Sequence, residues 1–399
     1  MRRHQSLVTG ALVVLLLTAC GGSSNSPTAK SPYVVFFSSD QTAGTASIGK
    51  ALLSAITGYI DYTNKHGGGK GHQIKLTALD DAMDIGHVKV NVQQASSANA
   101  LAILGANNSN AWSANAALIA TNKIPTIGLG FTDAQLDPAP PYLYGLSPAY
   151  KDYVQLQFAL VNDVLIKGGT VPAKPRVAFY HYTSTAISTM VAYQHTAITQ
   201  AGWTFTTDQS FAVAPTDVSS QAAAVAATKP DVVVAELLDS HAPLVINTLR
   251  QKGYTGPIVN FSAGNAPATF SALKDPSYYG QNHYLNPTWT DQPGVAEVQK
   301  RAKEVGDTDL LDNGFYGFGW AAAAAVVAAL NKCADPCTSG DMLNTALNNL
   351  GSVNVNGLNP DTSYSPTNHR LAHAGIYYHW DTAKGAPEPV GDWTKLAGA

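Results

Sequence analysis

Asn64-Lys65-His66-Gly67-Gly68-Gly69-Lys70-Gly71 separates two runs of different periodicity. Before it, residues 47–65 carry Ile48, Leu52, Ala55, Ile56, Tyr59 and Ile60 at helical spacing. After it, residues 73–79 form a short run of strand character. The glycines stop the helix and turn the chain, so with residues 33–38 ahead of the helix the segment predicts one β-α-β unit. Leu79-Asp80-Asp81-Ala82-Met83-Asp84 follows. Asp84 is read as the start of the next helix, and Asp80 and Asp81 as acceptors for turn backbone rather than metal ligands.

The same alternation runs outward from this unit. Strands are expected at 101–104 and 124–128, then at 176–181, 203–207, 231–236 and 257–261. Helices are expected at 184–201 and 240–252, each ending at a glycine, Gly202 and Gly253. Such alternation predicts parallel sheets covered by helices, arranged as two similar α/β lobes. Further helices are expected at 294–305 and 313–330, and the second is apolar all round, which implies burial. Residues 144–148 and 284–289 read as extended crossings between the halves.

The amino terminus reads as an export signal. Arg2 and Arg3 precede an apolar run from Leu7 to Leu17, which is followed by Leu17-Thr18-Ala19-Cys20 and Gly21-Gly22. The run is shorter than the roughly 20 residues that a membrane-spanning helix needs. The tetrad resembles the bacterial lipobox, which implies cleavage after residue 19 and a lipid on Cys20. Residues 20–32 then form a flexible tether, and the folded part is held at the membrane by lipid. Removing 19 of 399 residues leaves 380, enough for two domains with cores built from a 45% hydrophobic composition. Two of the 24 basic residues fall in the signal, so 22 remain against 27 acidic ones, a formal charge of −5 that suggests no basic face for nucleic acid. Besides Cys20 the only cysteines are Cys333 and Cys337, flanking Asp335-Pro336. An exported chain favours a local disulfide there, and zinc lacks the further ligands it needs.

Residues 33–380 resemble the type I periplasmic binding proteins of the leucine/isoleucine/valine-binding group, the solute receptors of ABC importers. The resemblance rests first on Asn64 to Gly71 and Asp80-Asp81-Ala82-Met83-Asp84, which look like that family's N-x-x-GG-x-x-G and D-D-x-x-D signatures. Gly105 to Ser109, Ile124 to Gly128, and Tyr364-Ser365-Pro366-Thr367-Asn368-His369-Arg370 follow in the family's order. The resemblance implies a third crossing near 355–361, with one lobe made of 33–146 plus 287–357 and the other of 147–286 plus 358–399. It implies a monomer that closes by hinge motion on a small solute and hands it to an ABC permease, with no cofactor. On the first lobe the implied ligand contacts are Asn108 and Ser109, then Gly130, Phe131 and Thr132, with Phe315 reaching the pocket. Ligands of open parallel sheets sit beyond the carboxyl ends of the strands, which adds His181, Tyr182, Glu236, Asp239 and Ser262 on the second lobe.

Four positions depart from the family's amino-acid binders. Ser262 stands where an acid holds the ligand ammonium, Ala186 and Leu237 stand where aromatics cover it, and Ile48 replaces a tyrosine. A buried ammonium needs a counterion. An α-amino acid is therefore expected only if Glu236 or Asp239 supplies the charge, whereas a small carboxylate or amide without an amine fits the surviving Asn108, Ser109 and Thr132. Catalysis is not expected. Asn260-Phe261-Ser262-Ala263-Gly264 lacks the first glycine of a nucleophile elbow, and His369 and His373 lack the glutamate of a zinc-protease helix. The alternative to transport is a sensor that presents the same solute to a membrane receptor or kinase.

Overall fold

The computed structural model describes residues 30–129, 133–289 and 292–396. The expected signal, Cys20, and the pocket residues Gly130, Phe131 and Thr132 lie outside them. The first sheet contains β1 (Tyr33–Ser39), β2 (Ile74–Asp80), β3 (Ala102–Ala106), β4 (Thr126–Gly128) and β5 (Leu143–Gly145) in the order β2-β1-β3-β4-β5. All of its pairs are parallel. β1 and β3 are almost wholly buried, which explains their continuous apolar runs. The Ala46–Lys65 helix buries Leu52, Ala55, Ile56 and Ile60. It packs against two helices from far along the chain, Pro293–Val305 and the largely apolar Tyr316–Lys332. Small residues let these helices meet closely: a Cβ on Gly319 would lie 2.6 Å from the Leu52 carbonyl oxygen. Asp307 ties the joint, accepting from Ser54 and, at 2.6 Å, from the Tyr316 hydroxyl.

The second sheet begins the same way and ends differently. Its parallel strands are β6 (Arg176–Tyr182), β7 (Thr204–Phe211), β8 (Val232–Glu236), β9 (Ile258–Asn260) and β10 (Tyr278–Asn282). After a small hairpin of β11 (Gly351–Ser352) and β12 (Ser363–Tyr364), β13 (Ala374–Asp381) and β14 (Ala386–Lys395) complete the order β14-β13-β10-β9-β8-β6-β7. β13 runs antiparallel to β10, and β14 antiparallel to β13. The reason is connectivity. β10 leaves the sheet at the crossings and β13 enters at that same end, so the two must run in opposite directions. The protein is thus an α/β fold of two lobes, the first with a parallel sheet and the second with a mixed one.

The crossings are stitched to one another. Gly145 donates its N–H to His369 at 2.7 Å and accepts from Leu371 at 2.8 Å, and the Tyr284 hydroxyl reaches the Leu146 carbonyl at 2.6 Å. Leu285 N–H donates to Leu358, and the Asn359 amide bridges the carbonyls of His283 and Ala374. His283, inside this bundle, is fully buried, and burial pushes its pKa down to about 3, so it is neutral. Cys333 and Cys337 are joined as a disulfide with Cα atoms 5.7 Å apart. The bridge lies at the start of β1, where the Cys337 N–H meets the Tyr33 hydroxyl, and therefore at the opposite end of β1 from the cleft.

Candidate functional site

The carboxyl ends of β1 and β3 in one lobe face those of β6, β8 and β9 in the other. On the first rim, side chains hold loops in shape. Asp40 is buried and accepts from the N–H groups of Thr42, Ala43 and Thr45 and from the Thr45 hydroxyl at 2.6 to 3.0 Å. Asp84 caps the Ile85–Ser97 helix through the His87 N–H, and Asp80 accepts from Gln41 and Ala82, as turn acceptors should. Asp81 is buried; desolvation raises its pKa to about 6. Asn108 caps the Ser109–Ala114 helix and donates to the Met83 carbonyl at 2.8 Å, so its amide is committed to loop geometry. Among the described residues no group of three His, Cys, Asp or Glu is placed to hold a metal.

Across the gap the rims touch. The Ser109 side chain hydrogen-bonds Tyr150, the first residue of the Tyr150–Leu160 helix of the second lobe. Asp133, on the first lobe, accepts the Lys151 N–H at 3.3 Å, lies 3.8 Å from the Lys151 ammonium, and hydrogen-bonds Tyr193 on the Thr185–Ala201 helix. Gly314, beside Phe315, is so near Asn265 that a Cβ would meet its side-chain oxygen at 2.6 Å. The two rims are therefore in direct contact at these points.

Beside this bridge, Tyr150 and Tyr182 are near neighbours of Glu236. Glu236 is 1% exposed; its Oε1 accepts from Gln157 at 2.9 Å and from Gln194, while Oε2 has no partner. Burial pushes its pKa up to about 8, so near neutral pH it is mainly a neutral acid. Asp239 is also raised, to about 6, by burial, and its Oδ1 accepts from the Ala266 N–H and the Thr269 hydroxyl at the start of the Pro267–Leu273 helix.

The remaining expected site residues have partners inside their own lobes. His181 pairs with Asp208 on β7 at 2.8 Å, and Ser262 bonds Tyr153. Phe315 is buried with its ring 5.5 Å from Phe318. His369 and His373 contact different groups, Asn348 with the Leu143 carbonyl for the first and Ser363 for the second. The structure places Ser109, Tyr182 and Glu236 around Tyr150, which sequence reasoning missed along with Asp133, Lys151 and Tyr193. The available signal was Tyr150-Lys151-Asp152 directly after the crossing at Ser147-Pro148, a helix start facing the gap.

Comparison with known proteins agrees with this architecture. A model of the family described as periplasmic binding protein matches residues 14–386. No curated protein matches the sequence at a significant level. Among solved structures, a fatty acid ABC transporter substrate-binding protein from Thermomonospora curvata is similar at 20% identity, with 92% of each chain covered and a TM-score of 0.76. The branched-chain amino acid transporter substrate-binding protein LivJ from Streptococcus pneumoniae, in complex with isoleucine, is 16% identical over 90% of this chain and 99% of that one, with a TM-score of 0.74. A branched-chain amino acid ABC transporter structure from Thermus thermophilus with bound valine gives 15% identity, coverage of 92% and 97%, and a TM-score of 0.79.

Proposed function

This chain belongs to the periplasmic binding protein family, a family of extracytoplasmic binding proteins rather than enzymes, and from that premise we propose that it receives a small carboxylate or amide lacking an α-ammonium and delivers it to an ABC importer. The observation that carries the solute class is Glu236. An ammonium buried in the cleft would need an ionised carboxylate beside it. Glu236 is mainly protonated near neutral pH, and Asp239 caps a helix. Ser109, with Thr132 beside it in the resemblance, offers hydroxyls for a carboxylate or carbonyl oxygen, and Tyr150 and Tyr182 offer aromatic surface. The similarity to a fatty acid receptor supports an amine-free acid as readily as the other similarities support an amino acid.

In this reading the lobes are 33–146 plus 287–357 and 147–286 plus 358–399, hinged at the three crossings, and Cys20 carries the lipid that tethers a monomer outside the membrane. Closure through Ser109–Tyr150 and Asp133–Lys151 alters the surface that the permease reads, since only differential binding to open and closed forms transmits the solute state. Thermal unfolding against amino acids, aromatic and fatty acids and small amides tests the reading. A true ligand at 100 times its Kd adds about 2.7 kcal/mol of stability. Stabilisation by amine-free acids or amides, weakened in Ser109→Ala and in Thr132→Ala with the unliganded melting point kept, is expected; stabilisation by leucine or valine alone would refute the solute class.

A further inference from the structure

We propose that the Cys333–Cys337 loop and His72 form a pH-sensitive clasp that holds the chain where it enters the first lobe, at the end opposite the cleft. Residues 30–32 lead into β1 and are exposed. On one side they border a cavity of about 670 Å³ rather than packed side chains. Burial therefore does little to fix them, and a segment so placed frays unless polar contacts tie it down. Here the ties converge on one carboxylate. Asp335 Oδ2 accepts from the Lys30 ammonium at 2.6 Å, and its Oδ1 lies 2.8 Å from His72 Nε2. The other nitrogen of that ring, Nδ1, lies 2.6 Å from the Ser31 carbonyl oxygen. Lys30 also donates to the Lys70 carbonyl at 2.8 Å.

The disulfide is what lets Asp335 serve. An exposed ion pair between two free side chains contributes little, because both must be ordered to meet. Asp335 stands at the middle of the loop that Cys333 and Cys337 close, and both ends of that loop are fixed to the lobe. The Cys333 carbonyl accepts from the Lys70 ammonium, and the Cys337 N–H donates to the Tyr33 hydroxyl at 3.3 Å. His72 supplies the pH dependence. Its bonds from Lys30 and His72 hold the Asp335 carboxyl below the ordinary carboxylate range, so it is an anion. The two oxygens facing the His72 ring, one of that anion and one of a carbonyl, only accept. Both contacts are therefore made together only by a ring with two N–H groups, the imidazolium. The other charged groups of the clasp are the Lys30 and Lys70 ammoniums, and the Tyr33 ring stacks on His72 at 4.2 Å. When the ring loses a proton, a lone pair faces an oxygen and that contact opens. The clasp stands whether or not Cys20 carries lipid; on a lipid tether it sets how freely the first lobe turns above the membrane.

Trypsin cuts after Lys30 only when its ammonium leaves Asp335, so cleavage there follows the population of the open clasp. The test is the rate of cleavage between Lys30 and Ser31 in the protein from residue 20 onward, carrying Cys20→Ser, read by mass spectrometry at about pH 6 and about pH 8.5. Each rate is divided by that of a free peptide of residues 24–36 at the same pH, which cancels the protease's own pH response. Protection is expected to be about tenfold greater at the lower pH, and to be lost at both in Asp335→Asn and in Cys333→Ser with Cys337→Ser. His72→Gln should remove the pH dependence. If His72→Gln does not fold, Asp335→Asn, at a partly exposed side chain, decides the matter with the wild-type pH comparison. Equal protection at the two pH values, wild-type protection in Asp335→Asn, or a pH response that survives His72→Gln overturns the clasp.

Discussion

Replacing Glu236 by glutamine should remove a pH dependence of stability that this one side chain creates. In the folded protein its carboxyl is raised from the ordinary 4.5 to about 8 because the group is enclosed, with Oε2 unpartnered and only two amides donating to Oε1. Between those pH values the folded protein keeps a proton that the unfolded chain has released. Stability from this group is thus fully present below about pH 4.5 and is lost as the pH rises through about 8. The slope is about 1.4 kcal/mol per pH unit, so moving from about pH 5.5 to about 7.5 costs the wild type about 3 kcal/mol. Glutamine keeps the volume and an acceptor for Gln157 and Gln194 while carrying no titrating proton. Melting temperatures of both proteins across that interval, taken as their difference so that other titrating groups cancel, should converge or cross by about 5 °C as the pH rises. Parallel curves would refute the claim that Glu236 is neutral in the folded protein, and with it the argument that no ammonium is held there.

Two other substitutions probe closure and packing. Asp133→Ala removes the acceptor that ties Lys151 and Tyr193 to the first lobe; solute affinity by calorimetry should fall about tenfold through loss of the closed form, and unchanged affinity would exclude the bridge from closure. Gly319→Ala puts a Cβ 2.6 Å from the Leu52 carbonyl oxygen and 2.9 Å from the Ala55 Cβ. Although alanine is the better helix former by about 1 kcal/mol, urea unfolding should show a net loss of about 2 kcal/mol, and an equally stable variant would mean that the two helices separate freely.

Long periodic elements were legible in the sequence because local patterning decides them. The helix expected at 47–65 is Ala46–Lys65, and the strand expected at 176–181 is β6. Elements decided by tertiary pairing were not. β5 has three residues and exists because β4 is beside it. β14 contains Pro387 and Pro389, which argue against a strand; it survives as the edge of its sheet, where proline's missing N–H is least costly. The Tyr150–Leu160 helix begins without a side-chain cap of the usual kind, Ala149 standing at that position, and continues into a π-helical turn over Val161–Ile166. In the candidate site, Ser109 and Glu236 followed from strand ends, but the bridge of Asp133, Lys151 and Tyr193 joins residues with no shared periodicity. The charge states were equally hidden: Glu236 reads as an anion until its enclosure is known.

The packing of the Ala46–Lys65 helix against Pro293–Val305 and Tyr316–Lys332 sets an order of events during synthesis. Leu52, Ala55 and Ser54 are made early, and Gly319 and Asp307, against which they settle, come from the last third of the chain. Closing so long a loop delays the contact. The second lobe's parallel strands are complete by Asn282, before those helices exist. The lobe whose first strand emerges earliest is therefore the one whose core closes late, and a chain interrupted near residue 290 would carry one lobe with its parallel strands made and another with an open apolar flank.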